Sequence, residues 1–117
     1  GSKIDAESSE KREEYFTVKE IISPELLKLS NDLIIRLIGI KQNPAINGKA
    51  TEYLQNKLRG KRVFLRHDEV KHDSENRLLA YLYLENKTFI NAHLLKAGLA
   101  EVDDAVEFKY KGKFLTL

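Results

Sequence analysis

Residues 76–100, N-R-L-L-A-Y-L-Y-L-E-N-K-T-F-I-N-A-H-L-L-K-A-G-L-A, decide the fold. Leu78 to Leu84 is an apolar and aromatic run of strand length. Glu85-Asn86-Lys87 supplies a turn and Thr88 to Ile90 a return strand, so the spacing predicts a hairpin. Asn91 then reads as the cap of a short helix, which His93, Leu94, Leu95 and Ala97 fill and Gly98 stops.

Working back toward the N-terminus, Asp68 to Asn76 is a polar loop. Before it, Val63, Leu65 and His67 share one face of a strand and Arg62, Phe64 and Arg66 the other. Ala50, Tyr53, Leu54 and Leu58 recur at helical spacing. Pro44 and Asn47 stand where a helix start is tolerated, and Gly60 closes the segment. Leu33 to Ile40 is the strongest strand signal of the chain. It pairs as a hairpin with Leu26 to Leu29 across Ser30-Asn31-Asp32, and Tyr15 to Ile22 is a further strand interrupted by Ser23-Pro24.

Five strands with one helix between the third and fourth and a short helix after the fifth predict a five-stranded antiparallel barrel of OB type with helices attached. Residues 1 to 14, led by Gly1-Ser2, read as a cleavage scar and a charged, disordered leader, and residues 15 to 117 as one domain excised from a longer protein.

At 117 residues, 42% hydrophobic and 32% charged, the chain has globular composition. A formal net charge of +2 announces no nucleic-acid partner by itself, so a basic signal must be local. The chain has no cysteine, which excludes disulfides and thiolate zinc sites. No apolar run reaches the roughly 20 residues of a bilayer span. A soluble, cytoplasmic protein without a membrane partner is the expectation.

Together, L-I-I-R-L-I-G-I (33–40), G-K-A-T-E-Y-L-Q-N-K-L-R-G-K-R-V-F-L (48–65) and the segment over 76–100 resemble the staphylococcal-nuclease-like domain, across about residues 15 to 100. The resemblance implies an OB barrel with flanking helices. In its catalytic members it implies a calcium ion held by two aspartates, a glutamate that activates water, and two arginines that bind phosphate. The arginines match Arg36 and Arg77. One metal aspartate would fall near Glu25, while the other falls on Lys41 and the glutamate on Pro44. An ammonium group at Lys41 reverses the sign of an interaction worth several kcal/mol with a divalent ion at about 5 Å. Proline cannot take a proton. The family's nucleotide-stacking tyrosines are replaced as well, with Glu75 before Asn76-Arg77 and Asp103, Asp104 and Val106 after the G-L-A.

Two readings of Arg36 and Arg77 stand side by side. One is a surviving phosphate clamp; the other is a structural ion pair with Glu25, Asp73 or Glu75. Lys57, Arg59, Lys61, Arg62 and Arg66, with Phe64 between two arginines, alternate charge and stacking surface as single-strand binders do, although a solvated helix end and strand edge look the same. With Arg36, Arg77 and Lys41 they make up the candidate nucleic-acid-binding set. His67, Asp68, Glu69, His72 and Asp73 match no metal-loop spacing and read as a solvated turn.

The sequence thus predicts a catalytically degenerate docking module of a larger, nucleic-acid-modifying protein. Single-stranded nucleic acid is its leading ligand, other domains of its parent chain are its partners, and calcium is not expected. The alternatives are an active phosphodiesterase with a rearranged site, using Glu25 and a carboxylate of the Asp68 to Glu75 loop, and a protein- or peptide-binding domain.

Overall fold

In a computed structural model describing residues 14–117, the alternation of apolar residues builds a barrel wall. The strands are β1 (Val18–Ser23), β2 (Leu26–Leu29), β3 (Ile34–Leu37), β4 (Ile40–Lys41), β5 (Val63–Arg66), β6 (Leu78–Leu84) and β7 (Glu101–Val102). The helices are α1 (Asn47–Leu58), preceded by a 3₁₀ turn over Pro44–Ile46, then α2 (Ile90–Lys96) and α3 (Lys111–Phe114). All but the last residue of the leader expected over residues 1 to 14 lie outside the described residues.

Five strands form one sheet in the order β1-β2-β3-β6-β5. Phe16 and Val63 exchange both backbone hydrogen bonds, at 2.9 and 2.8 Å, which joins the chain just before β1 to β5 and brings the two edges of the sheet together. The inner face of this wall carries Leu27, Leu29, Ile35, Leu37, Val63, Ala80 and Leu82, all essentially inaccessible. Leu54 and Leu58 of α1 and Ile90 and Leu94 of α2 complete the same core.

The expected fold class stands, with three corrections of detail. The β3–β6 pair runs parallel, so the sheet is mixed rather than wholly antiparallel. The long excursion through α1 and β5 permits this, because a parallel pair needs a crossover rather than a hairpin. The strand expected over Leu33 to Ile40 breaks after Leu37, and β4 leaves to pair with β7. Gly39 is the break point: its φ is +77°, and a Cβ there would lie 2.5 Å from Phe108 Cζ and 3.1 Å from Phe114 Cδ2. Only glycine satisfies both the left-handed backbone and the close approach of the C-terminal segment.

The third correction concerns Asn91. It is no cap: α2 begins after Phe89 without a side-chain cap. The return strand of the second hairpin is reduced to the Tyr83–Phe89 bridge. Asn91 is instead fully buried, and its Oδ1 accepts from Leu82 N at 2.8 Å while its Nδ2 donates to Ile38 O at 2.9 Å. The β3–β6 pairing ends at Leu37–Ala80, two residues before Leu82, and this side chain takes over the ladder.

Candidate functional site

Because Ile35 and Leu37 must face the core, Arg36 between them faces outward. It emerges where the β1–β2 turn, the β5–β6 loop and the segment after β7 converge. Its guanidinium lies 3.6 Å from Glu25 Oε1, 3.6 Å from Asp73 Oδ2 and 3.8 Å from Asp103 Oδ2, with the arginine side chain 28% exposed. These are ion-pair distances rather than hydrogen bonds. One guanidinium therefore ties together three separate stretches of chain.

Arg77 closes its own loop. Asp73 N donates to Arg77 O at 3.0 Å, Asn76 adopts a left-handed φ of 61°, and Arg77 Nε donates to Asp73 Oδ2 at 2.8 Å. A second guanidinium nitrogen pairs with Glu75. The same Oδ2 of Asp73 thus faces both arginines. Partial burial pushes the Asp73 carboxyl upward, but the N–H of Arg77, its guanidinium and the N–H of Glu75 outweigh burial and hold it below the ordinary carboxylate range.

Gln42 and Asn43, which follow β4, have structural roles. Gln42 N donates to Glu25 Oε2 at 2.7 Å, and Asn43 Oδ1 accepts from Ala45 N at 3.1 Å, capping the 3₁₀ turn that Pro44 opens. Glu25 therefore has one oxygen committed to the backbone and the other facing Arg36. Lys41 is exposed on β4, opposite Glu101. The loop 67–76 is tied to β6 by a His67 Nδ1 bond to Leu79 O at 3.0 Å and a Leu79 N bond to Lys71 O at 2.8 Å. Among the described residues no three histidine, aspartate or glutamate side chains are grouped so as to hold a metal ion.

Asp68 is a second hub that reasoning from sequence missed. Its Oδ2 accepts from the Tyr81 hydroxyl at 2.5 Å and from Lys109 N at 2.7 Å, pinning the C-terminal segment to the barrel. Burial again acts upward on this carboxyl, and the Lys109 N–H, the Tyr81 hydroxyl and the Glu69 N–H together bring it below its ordinary value. Burial and then the Asp68 contact push the Tyr81 phenol up. A carboxyl whose folded pKa is depressed contributes stability that is complete above its unfolded value, near 3.9, and is lost as pH falls through the folded value. The urea midpoint is therefore expected to be level from about pH 7 to about pH 5 and to fall below about pH 4. A midpoint unchanged to about pH 3 contradicts these assignments.

The basic run lies elsewhere. Val63 pairs with Leu84 and Arg66 with Tyr81, so Lys57, Arg59, Lys61 and Arg62 gather at the far end of β6 from Arg77. Strand β6 has seven residues, a separation of roughly 20 Å. All four cations are exposed. Lys57 sits over the Tyr53 ring at 5.7 Å, and Arg62 pairs with Glu85 and lies over the Tyr15 ring at 4.8 Å.

Phe64 is packed rather than open. It is 5% exposed, stacks on Tyr83 at 5.2 Å, takes Tyr15 edge-on at 6.1 Å and carries the Arg66 guanidinium at 4.8 Å. The exposed ring at this end is Tyr15, at 38%, which sequence reasoning placed in a strand without assigning it a role. Its nearness to Arg62 follows from the Phe16–Val63 pairing, a contact with no local signature.

No described helix is long and apolar enough to cross a membrane. A search of curated proteins finds no match. The model of the family described as staphylococcal nuclease homologue matches residues 18–117. That match takes in every strand of the barrel, both arginines and the Asn91 seam, and the chain belongs to the staphylococcal nuclease homologue family.

Proposed function

We propose that this domain is a catalytically degenerate member of its family that binds single-stranded nucleic acid through its basic end, with Arg36 and Arg77 serving as structural ion-pair partners rather than as a phosphate clamp. The observation that carries the reading is the commitment of both guanidinium groups to Glu25, Asp73, Glu75 and Asp103. A phosphate entering there would gain two cations and meet four carboxylates. At about 4 Å and an effective dielectric near 20, each like-charge contact costs about 4 kcal/mol, so repulsion wins.

The donors present do not fit calcium either. A hard divalent ion needs several free carboxylate or carbonyl oxygens. Glu25 has both oxygens engaged, and the second acidic position carries the Lys41 ammonium. Pro44, at the position of the family's proton acceptor, opens the 3₁₀ turn that Asn43 caps. Hydrolysis therefore has neither its ion nor its base.

The exposed cations Lys57, Arg59 and Lys61, with the exposed Tyr15 ring under neighbouring Arg62, support single-strand contact by charge and stacking. Fluorescence anisotropy with an oligothymidylate of about 15 nucleotides tests this. Three phosphate contacts predict an affinity loss of about 20-fold between about 50 and 200 mM salt. The double variant Arg59→Glu, Lys61→Glu is expected to weaken binding by at least tenfold at low salt, roughly 1.4 kcal/mol. Binding that the double variant leaves unchanged contradicts the reading, and so does an absence of binding at about 50 mM salt.

A further inference from the structure

At the opposite end of the barrel, a groove of about 1070 Å³ runs between the β5–β6 loop and the segment after β7, with Leu37, Ile38 and Leu79 in its lining. Two of the large apolar residues left exposed stand on its walls: Val70 at 61% and Val106 at 44%. Each has a glutamate as its chain neighbour, so one wall presents Glu69-Val70 and the other Val106-Glu107. The lining holds five carboxylates, Asp68, Glu69, Asp73, Asp103 and Glu107, against two fixed cations, Arg36 and Lys109. The Glu69 side chain has no partner among the described residues, and Glu107, though paired with Lys111, is 89% exposed. This combination of apolar contact and negative field repels a nucleic-acid backbone and suits a cationic, partly aliphatic ligand.

We infer that this groove binds a basic peptide segment, in which an aliphatic side chain packs between Val70 and Val106 while flanking lysine or arginine groups meet Glu69 and Glu107. An extended peptide alternates its side chains, so a basic-aliphatic-basic sequence offers both chemistries at once. This site and the nucleic-acid surface share no residue, and the two occupy opposite ends of β6.

The test is a titration of isotope-labelled domain with the blocked pentapeptide Arg-Val-Lys-Val-Arg, followed by amide shifts, with Glu-Val-Glu-Val-Glu as control. Shifts localised to Glu69, Val70, Val106 and Phe108 are expected at millimolar basic peptide and none there with the acidic one. Glu69→Lys, on an exposed side chain whose replacement disturbs no contact of the fold, is expected to weaken the basic peptide about tenfold. Val70→Ser, also exposed, is expected to weaken it without altering the charge. Absence of localised shifts, equal response to the acidic peptide, or unchanged affinity in Glu69→Lys overturns the inference. So does self-association of the domain that buries the groove, seen by sedimentation. Oligothymidylate binding should be insensitive to Glu69→Lys and peptide binding insensitive to Arg59→Glu, Lys61→Glu, so each reading fails on its own variant.

Discussion

Replacing Asn91 by alanine is expected to destabilise the domain by about 3 to 4 kcal/mol. The side chain is fully buried and serves Leu82 N, Ile38 O and, at 3.4 Å, Ala80 O. Alanine leaves the Leu82 N–H buried without an acceptor, which costs about 1 to 3 kcal/mol, and leaves the Ile38 carbonyl without this donor and a small void beside it, while Ala80 O keeps the Ile38 N–H at 3.0 Å. The remaining cost comes from the seam itself: β3 and β6 are held in parallel only over Ile35–Leu37, and Asn91 extends that join by linking Ile38 to β6. Urea unfolding reads the effect directly. A loss below about 1 kcal/mol would mean that water or a backbone shift satisfies the seam without this amide.

The Asp73→Ala variant is expected to lose about 2 to 3 kcal/mol. Its carboxylate is 9% exposed and faces both guanidinium groups, and its Oδ1 also accepts from the backbone N–H of Glu75 and Arg77 at 2.9 and 2.8 Å. Breaking a buried pair from one side commonly costs 3 to 5 kcal/mol or so, and the arginines' 28% exposure discounts that figure through solvent screening. Asp73→Asn keeps the Oδ1 acceptor and is expected to lose about half as much. With Asp73 gone the two guanidinium groups still face Glu25, Asp103 and Glu75, so no amide shifts near Arg36 are expected on adding a nucleoside bisphosphate, either in Asp73→Ala or in the natural sequence. Such shifts in the natural sequence at low salt would restore the phosphate-clamp reading.

Much of the architecture was legible in the sequence because β2 and β3 advertise themselves through period-two burial and β6 through a continuous apolar run of strand length. The helix over Asn47–Leu58 likewise does so through Ala50, Leu54 and Leu58. The segment around Asn91 marked the family but not the reason for the asparagine: its three partners lie 9, 11 and 53 residues away, and no local pattern reports such a contact. Strand β7 has two residues, too short for any alternation to show. At the site, Glu25, Asp73 and Glu75 were readable as candidate partners of the arginines from charge alone. That Asp103 joins them depends on β7 pairing with β4, where Asp103 N donates to Gly39 O at 2.9 Å. The expected stacking role of Phe64 rested on strand alternation, which places it outside the core but is blind to Tyr15 and Tyr83 covering it.

On the proposed reading, the chain's own guanidinium and backbone N–H groups engage the carboxylates at the family's catalytic end and leave a divalent ion no vacant donor set. Calorimetric titration of calcium into the domain at neutral pH tests it most directly. No saturable heat is expected up to about 10 mM calcium, a concentration well above what a built oxygen cage requires. Saturable binding below about 1 mM that disappears in Glu25→Gln would contradict it, and would return the domain to the metal-dependent phosphodiesterases.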